Sequence, residues 1–527
     1  MISMDKPCFL GSKGQIRRKE FVTLIIQYLY SLGYSRSASL LESESGIPSN
    51  SIELSRLESQ ILSANWDECV ETLHLIEGLE EETLASALFL VFKQSIAEFL
   101  MVGDDSSALN VLQKRVSKLK IDRERVHKLA CGFVSLGGIG FGKVDGETSD
   151  ELRRKLLVEL EKLFPPPVIV PERRLEHLVE MALVAKRDSC LYHNTGGAMS
   201  LYEDDCCGGE HVPADTVQIL NNHVNEVWFV QFSNNGEYLA SSSSDCTAII
   251  WKVSEDDVLS FKHALRSHRN PVSFVAWSPD DTMLLTCGNG EVLRLWDVES
   301  GECKHAFGET TPIVSSCAWF PDSERVVCGS SDPDKCIYMW DLNGNELEVW
   351  RGVRVPKVAD LAVTPDGEYL ISICSDKDIR IYNFNTKTER VIKEAHAITS
   401  LSVSRDSQLL IVNLNSQEIH MWDIAGKWEK PESYSGHKQG KYVIRSCFGG
   451  SDCKFIASGS ENSQVYIWNR RKSKPIEILS GHKMTVNCVS WNPKRPHLLA
   501  SASDDQTIRI WGPSRKQRQA GAHAVLG

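Results

Sequence analysis

GHKMTVNCVSWNPKRPHLLASASDDQTIRIW, residues Gly481–Trp511, is the clearest of a series of related stretches. It opens on a Gly-His pair and alternates apolar with small or polar residues through Val486, Cys488 and Val489. It then turns at Asn492-Pro493, runs back to Asp504-Asp505, and closes a third run on Trp511. Alternation of period two, broken by turn residues, describes three short antiparallel strands. Such a unit has two faces and cannot bury both alone, so it needs neighbours.

The neighbours are in the same chain. The closing aromatic recurs at Trp251, Trp296, Trp340, Tyr382, Trp422, Trp468 and Trp511, at spacings of 45, 44, 42, 40, 46 and 43 residues. That is the period of a four-stranded propeller blade, and seven units fit. Six residues before each aromatic stand Asp245, Gly290, Asp334, Asp376, Ser416, Asn462 and Asp505. These residue types accept tight turns or bond their own backbone, as the second-to-third strand turn requires. A His opens five units, at His223, His268, His396, His437 and His482.

The unit resembles the WD40 repeat. The resemblance implies a hydrogen-bonded network of opening His, strand Ser or Thr, turn Asp and closing Trp. It would be carried by His482, Asp505 and Trp511 in the last blade and by His223, Asp245 and Trp251 in the first. Unit three lacks the His, unit four lacks both His and Trp, and unit two has Gly290 for the Asp; these blades are expected to be softer. After Trp511 no further strand-like run follows, so blade seven needs its outer strand from elsewhere. The alternating stretch Thr216–Leu220 (TVQIL) supplies it, closing the ring and hiding two sheet edges. The propeller is thus expected over 216–513, with a flexible tail at 514–527.

The chain has 527 residues, 42% apolar and 24% charged, with a formal charge of −12. This is a globular composition, and the acidic balance argues against a nucleic-acid-binding surface. No run of 18 or more apolar residues and no signal-peptide core is present, so no membrane role is expected and the cytosol or nucleus is the expected location. Sixteen cysteines occur, mostly isolated within strands, where a reduced thiol is a small hydrophobe. Only Cys190, His193, Cys206, Cys207 and His211 gather metal-capable groups, and they lack the paired knuckles of a zinc site; no metal or cofactor is expected. The glycine-rich run Gly137–Lys143 follows a helix rather than a strand and its Lys precedes Val144, so it reads as an inter-helix loop, not a phosphate cradle.

Before the repeats the sequence has helical period. Residues 1–16 read as a flexible end. Phe21, Leu24, Ile25, Tyr28, Leu29 and Leu32 then share a helix face, Gly33 stops the helix, and a second helix runs from Ser35 to Glu44. FVTLIIQYLYSLGYSRSASLLESESGI resembles a LisH motif, which implies a dimerisation device over 17–49 with Phe21, Tyr28, Leu29, Leu32 and Gly33 in the self-association region. A hairpin this small cannot fold alone, so it pairs with a copy of itself or packs on its own downstream helices. Residues 50–112 resemble the CTLH motif, a helical extension is read over 113–192, and the Gly- and Asp-rich stretch over 193–215 reads as a linker. The expected class is therefore an N-terminal all-α LisH/CTLH domain followed by a seven-bladed all-β propeller.

This order, with FPPPVIVPERRLEHLVEMALVAKRDSCLYHNT (164–195) and WRGVRV (350–355), resembles the propeller-bearing subunits of the CTLH (GID-type) E3 ubiquitin ligase. The resemblance implies a non-catalytic scaffold that supports ubiquitin-dependent degradation. Its partners would be itself, the RING-bearing and LisH/CTLH subunits, and protein substrates or adaptors on the propeller. Arg351 and Arg354 are candidate contacts there, or else solvated blade residues. Two alternatives stay open. A cullin-4 substrate receptor usually carries Trp-Asp-x-Arg at a blade end, approached here only by Trp468-Asn469-Arg470-Arg471. An adaptor outside ubiquitin, binding G-protein subunits or splicing factors, is the other.

Overall fold

The computed structural model describes residues 9–11, 13–48, 51–119, 121, 123–135, 148–165, 168–171, 173–194, 200–202, 212–288, 292–307, 314–330, 337–350, 358–374 and 377–513. The chain divides into a helical unit up to Ala185 and a second unit from Lys186.

In the helical unit a short antiparallel pair, Phe9–Leu10 with Ile16–Arg17, occupies part of the stretch read as a flexible end. Helices α1 (Arg18–Ser31) and α2 (Ser35–Ser45) follow. Gly33, at φ +84°, makes the turn between them, and Tyr34 N–H donates to Leu29 O (2.9 Å). Ile26 and Ala38 are the buried residues of this hairpin. The main core begins later, with α3 (Ile52–Leu62), α4 (Trp66–Leu75), α5 (Glu81–Val102), α6 (Asp105–Lys114), α7 (Arg123–Ser135) and α8 (Ser149–Leu163). Ser51 caps α3, Asp104 caps α6, and Thr148 with Glu151 forms a capping box on α8. Asn65 stands at the N-cap of α4 but makes no side-chain cap bond.

Helix α5 is long and apolar enough to cross a bilayer by length and composition. Here Ala87, Leu88, Val91, Phe92 and Ile96 lie in the apolar cluster shared with Leu57, Ile61, Leu73, Leu156 and Leu160. Its polar fastening is Arg153 of α8, whose Nε and Nη2 donate to the two oxygens of Glu98 at 2.9 Å each while Nη1 donates to Leu62 O. One guanidinium thus joins α8, α5 and α3.

The second unit holds seven four-stranded antiparallel sheets. Their inner strands are Val227–Phe232, Val272–Trp277, Val314–Trp319, Val358–Val363, Ile398–Val403, Ser446–Gly449 and Val486–Trp491. Six carry a bulge just after their first residue, before Phe229, Phe274, Ser316, Asp360, Ser400 and Cys488; blade six does not. A bulge steepens local twist, which a blade needs where its inner edge meets the axis. Apolar clusters bridge successive sheets, and the largest runs from blade seven across the seam into blades one to three. The seam is the predicted one. Strand Asp215–Leu220 pairs with Ile508–Gly512, register Thr216↔Trp511 and Leu220↔Ile508, as the outer strand of blade seven.

The linker read over 193–215 is corrected at both ends. His193 and Asn194 are buried, with Asn194 Nδ2 donating to Pro496 O (2.6 Å) and its Oδ1 accepting from Ser451 N (3.0 Å). Val212 is fully buried against Phe455, Trp491 and Trp511. The helical extension, read to 192, likewise ends early, because Asp188 and Leu191 are held by blade six. The physical reason is that the polar Asn194 and Asn469 side chains offer bonds to backbone groups that burial leaves unpaired. Residues 136–147, containing the glycine-rich run, and the tail 514–527 lie outside the described residues.

Deleting Thr216–Leu220 is expected to abolish cooperative melting of the propeller and to produce aggregates on size exclusion; a deletion that melts like wild type refutes the closure. Arg153→Met, which strands Glu98 without its partner, is expected to cost the helical unit about 2–4 kcal/mol in denaturant unfolding, with the lower end reflecting partial exposure of the pair.

Candidate interaction surface of the propeller

In blade one, His223 Nδ1 lies 2.8 Å from Asp245 Oδ2, His223 Nε2 lies 2.9 Å from Ser241 Oγ, and Trp251 Nε1 donates to Ser241 Oγ at 3.1 Å. Blade seven repeats this with His482, Asp505, Ser501 and Trp511 at 2.9, 2.7 and 2.8 Å. Each Asp also accepts the backbone N–H after the His, from Val224 and Lys483, and the hydroxyl of Thr247 or Thr507. The residues after the turn Asp, Cys246 and Gln506, hold φ of 69° and 68° without being glycine. The Asp Oδ1 bond to the next amide, Thr247 or Thr507, holds that strained turn. Burial pushes both Asp carboxyls up, but the His and Thr hydrogen bonds outweigh it and hold them far below the usual carboxylate range.

The other blades depart in ways the sequence pattern does not show. In blade two, Thr286 Oγ1 takes the serine's place between His268 (2.7 Å) and Trp296 (2.8 Å). In blade five the expected His396 is exposed and off the network. Glu394 replaces it, accepting from Trp422 Nε1 at 2.7 Å and facing His420 Nδ1 at 3.0 Å. Burial pulls the His420 imidazole down, but the Glu394 carboxylate more than reverses this and its pKa is raised. In blade six His437 is buried on Gln439, and Trp468 donates instead to Ser435 O (3.1 Å). Gly290, Asp334 and Asp376 lie outside the described residues.

A cavity of about 580 Å³ lies at the middle of the ring, lined by the inner strands. Arg445, at the entry to blade six, reaches Asp360 of blade four and passes over the rings of Phe229 (5.2 Å) and Phe274 (4.8 Å) of blades one and two. Arg405 Nη1 donates to Pro493 O (2.8 Å), joining the first turns of blades five and seven. Guanidinium groups thus tie non-adjacent blades across the space, as cation–π and charge-assisted contacts.

On the rim that carries the His-Asp turns, blades six, seven and one present exposed apolar residues in succession: Tyr442 and Val443, Met484, and Val224. The first loop is rigid. Glu461 accepts the backbone N–H groups of Gly440, Lys441 and Tyr442 at 2.9, 2.7 and 2.9 Å, which outweigh burial and lower its pKa. Arg445 N donates to Asn487 O (2.8 Å), seating this loop against blade seven. Asn487 Nδ2 donates to Val227 O (3.1 Å), carrying the same connection to blade one. Lys438, Lys441 and Lys483 stand exposed beside the apolar residues. Sequence reasoning placed contacts instead at Arg351 and Arg354, which lie outside the described residues. The signal for the rim was the pair Tyr442-Val443, large side chains in a loop just before a strand.

Arg471, the residue a cullin-4 adaptor would read, is already engaged: Nη1 donates to Asp188 O (2.7 Å) and Nη2 to Asp188 Oδ2 (2.9 Å). Among the described residues no group of three or more His, Cys, Asp or Glu side chains is placed to hold a metal ion. Cys206, Cys207 and His211 fall outside them.

A Gly-turn helical hairpin ahead of a closed seven-bladed ring with His-Asp-Ser-Trp networks defines a LisH-bearing WD40 propeller protein. The WDR26 Lis-homology domain matches residues 7–51, and the WD domain, G-beta repeat, matches six stretches within 214–512. The repeat matches leave out 384–427, the fifth unit, where Glu394 stands in for the opening His. A WD repeat-containing protein WDS homolog of Arabidopsis thaliana is 60% identical over 97% of this chain and 98% of its own. A WD repeat-containing protein 26 homolog of the same plant is 47% identical, covering 97% and 87%. GID complex subunit 7 of Schizosaccharomyces pombe is 33% identical, covering 95% and 98%. The chain belongs to the WD repeat-containing protein 26 family.

Ser501→Ala is expected to leave His482 and Trp511 without the hydroxyl they share and to destabilise blade seven by about 1–3 kcal/mol in denaturant unfolding. The pH responses have opposite signs. Depressed Asp245 and Asp505 stabilise fully above the unfolded value near 3.9, and that contribution is lost as pH falls from there toward their folded values. Raised His420 stabilises fully below about pH 6.5 and loses its contribution as pH rises through its folded value. Melting temperature against pH should therefore lose part of its acid limb in Asp245→Asn with Asp505→Asn, and part of its alkaline decline in His420→Gln.

Proposed function

We propose that this chain is a non-catalytic scaffold and recruiting subunit of a GID/CTLH-type ubiquitin ligase, acting in the cytosol and nucleus. Two lines support the scaffold half of the reading. GID complex subunit 7 of fission yeast aligns with it along nearly its whole length. The helical hairpin contributes no residue to the main helical core, yet leaves Tyr30, Leu32, Tyr34 and Leu40 exposed. An apolar surface made by a hairpin too small to stand alone suits pairing with a second copy rather than packing on downstream helices. The remaining helices, in the stretch resembling CTLH, would meet the RING-bearing and LisH/CTLH subunits.

The observation that carries the recruiting half is the rim of blades six, seven and one. Rigid apolar side chains flanked by three lysines suit a substrate or adaptor segment that combines apolar anchors with acidic residues. The engagement of Arg471 by Asp188 speaks against a cullin-4 receptor.

Leu32 is 52% exposed, so Leu32→Glu tests assembly without disturbing the hairpin's own packing. The variant is expected to halve the particle mass in light scattering while keeping wild-type helicity; unchanged mass rejects self-association through this hairpin. Affinity purification of the full chain from its native cells should recover RING-bearing subunits. Tyr442→Ala with Met484→Ala should retain those subunits and lose a subset of the other proteins. Recovery of cullin-4 adaptors, G-protein subunits or splicing factors in place of RING-bearing subunits would refute the ligase assignment.

A further inference from the structure

The last residues of α9 (Arg174–Ser189), which belong to the propeller unit, build a second feature on blade six. Arg187 and Asp188 meet Asp452, Lys454, Arg470 and Arg471 around a cleft of about 310 Å³. Four cations face two carboxylates, in a chain whose net charge is −12. The carboxylates do not satisfy them. Asp188 bonds Arg471 at 2.9 Å but stands 3.7 Å from Lys454 Nζ and 3.8 Å from Arg187 Nε. Asp452 approaches Arg187 Nη1 only to 3.4 Å and is largely exposed, so its charge is screened by water. Lys454 Nζ and Arg187 Nε are shut off from solvent with no hydrogen-bond partner among the described residues. Among the described residues the Arg470 guanidinium makes one long bond, of 3.5 Å to Cys453 O.

Buried cationic donors without acceptors are costly, and a protein keeps them where an anion completes the site. Burial first, and then the repulsion of Arg187, lower the pKa of Lys454 by more than Asp188 and Asp452 raise it. We propose that this cleft is an oxyanion site that takes a phosphoryl group. A phosphoryl group brings about −1.5 to −2 charge and three acceptor oxygens, matching the surplus of two positive charges and the convergent donors. Guanidinium forks and an ammonium recognise such a group through paired and point contacts respectively. The cleft is larger than one phosphate, leaving room for the group that carries it, and exposed Arg471 and Asp452 at its edge open it to solvent. The bound anion would also tie residues 187–194 more firmly to blade six, since Arg187 belongs to the segment and the other cations to the blade.

Calorimetric titration of the full chain tests this at matched ionic strength with two probes, pyrophosphate and a capped Gly-phosphoserine-Gly peptide. The unphosphorylated peptide is the control. Saturable binding of one equivalent is expected. Binding should weaken about tenfold or more in Arg470→Ala and in Lys454→Gln, each of which removes a charged donor. Hydrogen exchange at residues 187–194 should slow with the probe bound. Tighter binding of the peptide marks a phosphorylated side chain as the source, and tighter binding of pyrophosphate marks a small phosphate-bearing molecule. No saturable binding of either probe, or binding that both variants retain, overturns the proposal. Circular dichroism and melting of the variants in chloride check the fold. Arg470→Ala keeps the Arg470 carbonyl that accepts from Tyr434, so it carries the test if Lys454→Gln unfolds.

Discussion

Everything in the propeller depends on closing a ring whose ends are nearly 300 residues apart in the chain. One outer strand, Asp215–Leu220, is joined to Ile508–Gly512 by its backbone ladder and by the bond from Arg509 Nη1 to Thr216 Oγ1 (3.1 Å). The two blades that meet at this seam are also the two that carry the complete His-Asp-Ser-Trp network among the described residues. The coincidence has a physical logic. An open ring exposes two strand edges and the apolar cluster that runs from blade seven into blade one, so rigidity has most effect there. Blades farther round are held on both sides by neighbours and tolerate partial networks. The arginines that tie non-adjacent blades, Arg445 to Asp360 and Arg405 to Pro493, stiffen the same ring from within.

This rigidity is what lets the loops serve as a surface. The Glu461 carboxylate fixes three consecutive amides, so Tyr442 and Val443 are presented without the ordering cost a loose loop would incur on binding. The helical unit shows the complementary arrangement. Its long α5 is consumed internally, packed in the core and fastened by Arg153, whereas the hairpin of α1 and α2 stays out of that core. A buried hub and an exposed hairpin within one unit suit the scaffold proposed above, in which one part holds the protein together and the other would meet a second chain.

The repeat period, the seven closing aromatics and the strand that completes blade seven were all legible, because each is a local pattern repeated many times. The break at Gly33 and the second helix, read as Ser35 to Glu44 and found as Ser35–Ser45, were legible from local pattern as well. The networks of blades one and seven followed from the resemblance of these units to the WD40 repeat. Blade five shows the limit. His396 sits where the pattern wants it, yet Glu394 two residues earlier, paired with His420 and Trp422, fills the role. A column of residue types records which chemistry is usual at a position, not which nearby side chain reaches the indole. The linker failed for a related reason. Gly and Asp around 193–215 suggest a loose connection, but Asn194 is fixed by Ser451 and Pro496, far away in sequence.

The sequence by itself determined the architecture: an all-α unit opening on a helical hairpin, a propeller of seven blades, and the strand that closes it. These follow from hydrophobic period and turn chemistry, which act over a few residues and need no knowledge of the rest. Tertiary structure alone decided which residues act together across the chain. Arg445 meets Asp360, Arg471 meets Asp188, and Arg187 meets Asp452 and the cationic side chains of blade six only because ring closure brings distant strands and the segment at 187–194 together. Charges and hydrogen bonds depend on distance in space, and only the closed ring sets those distances.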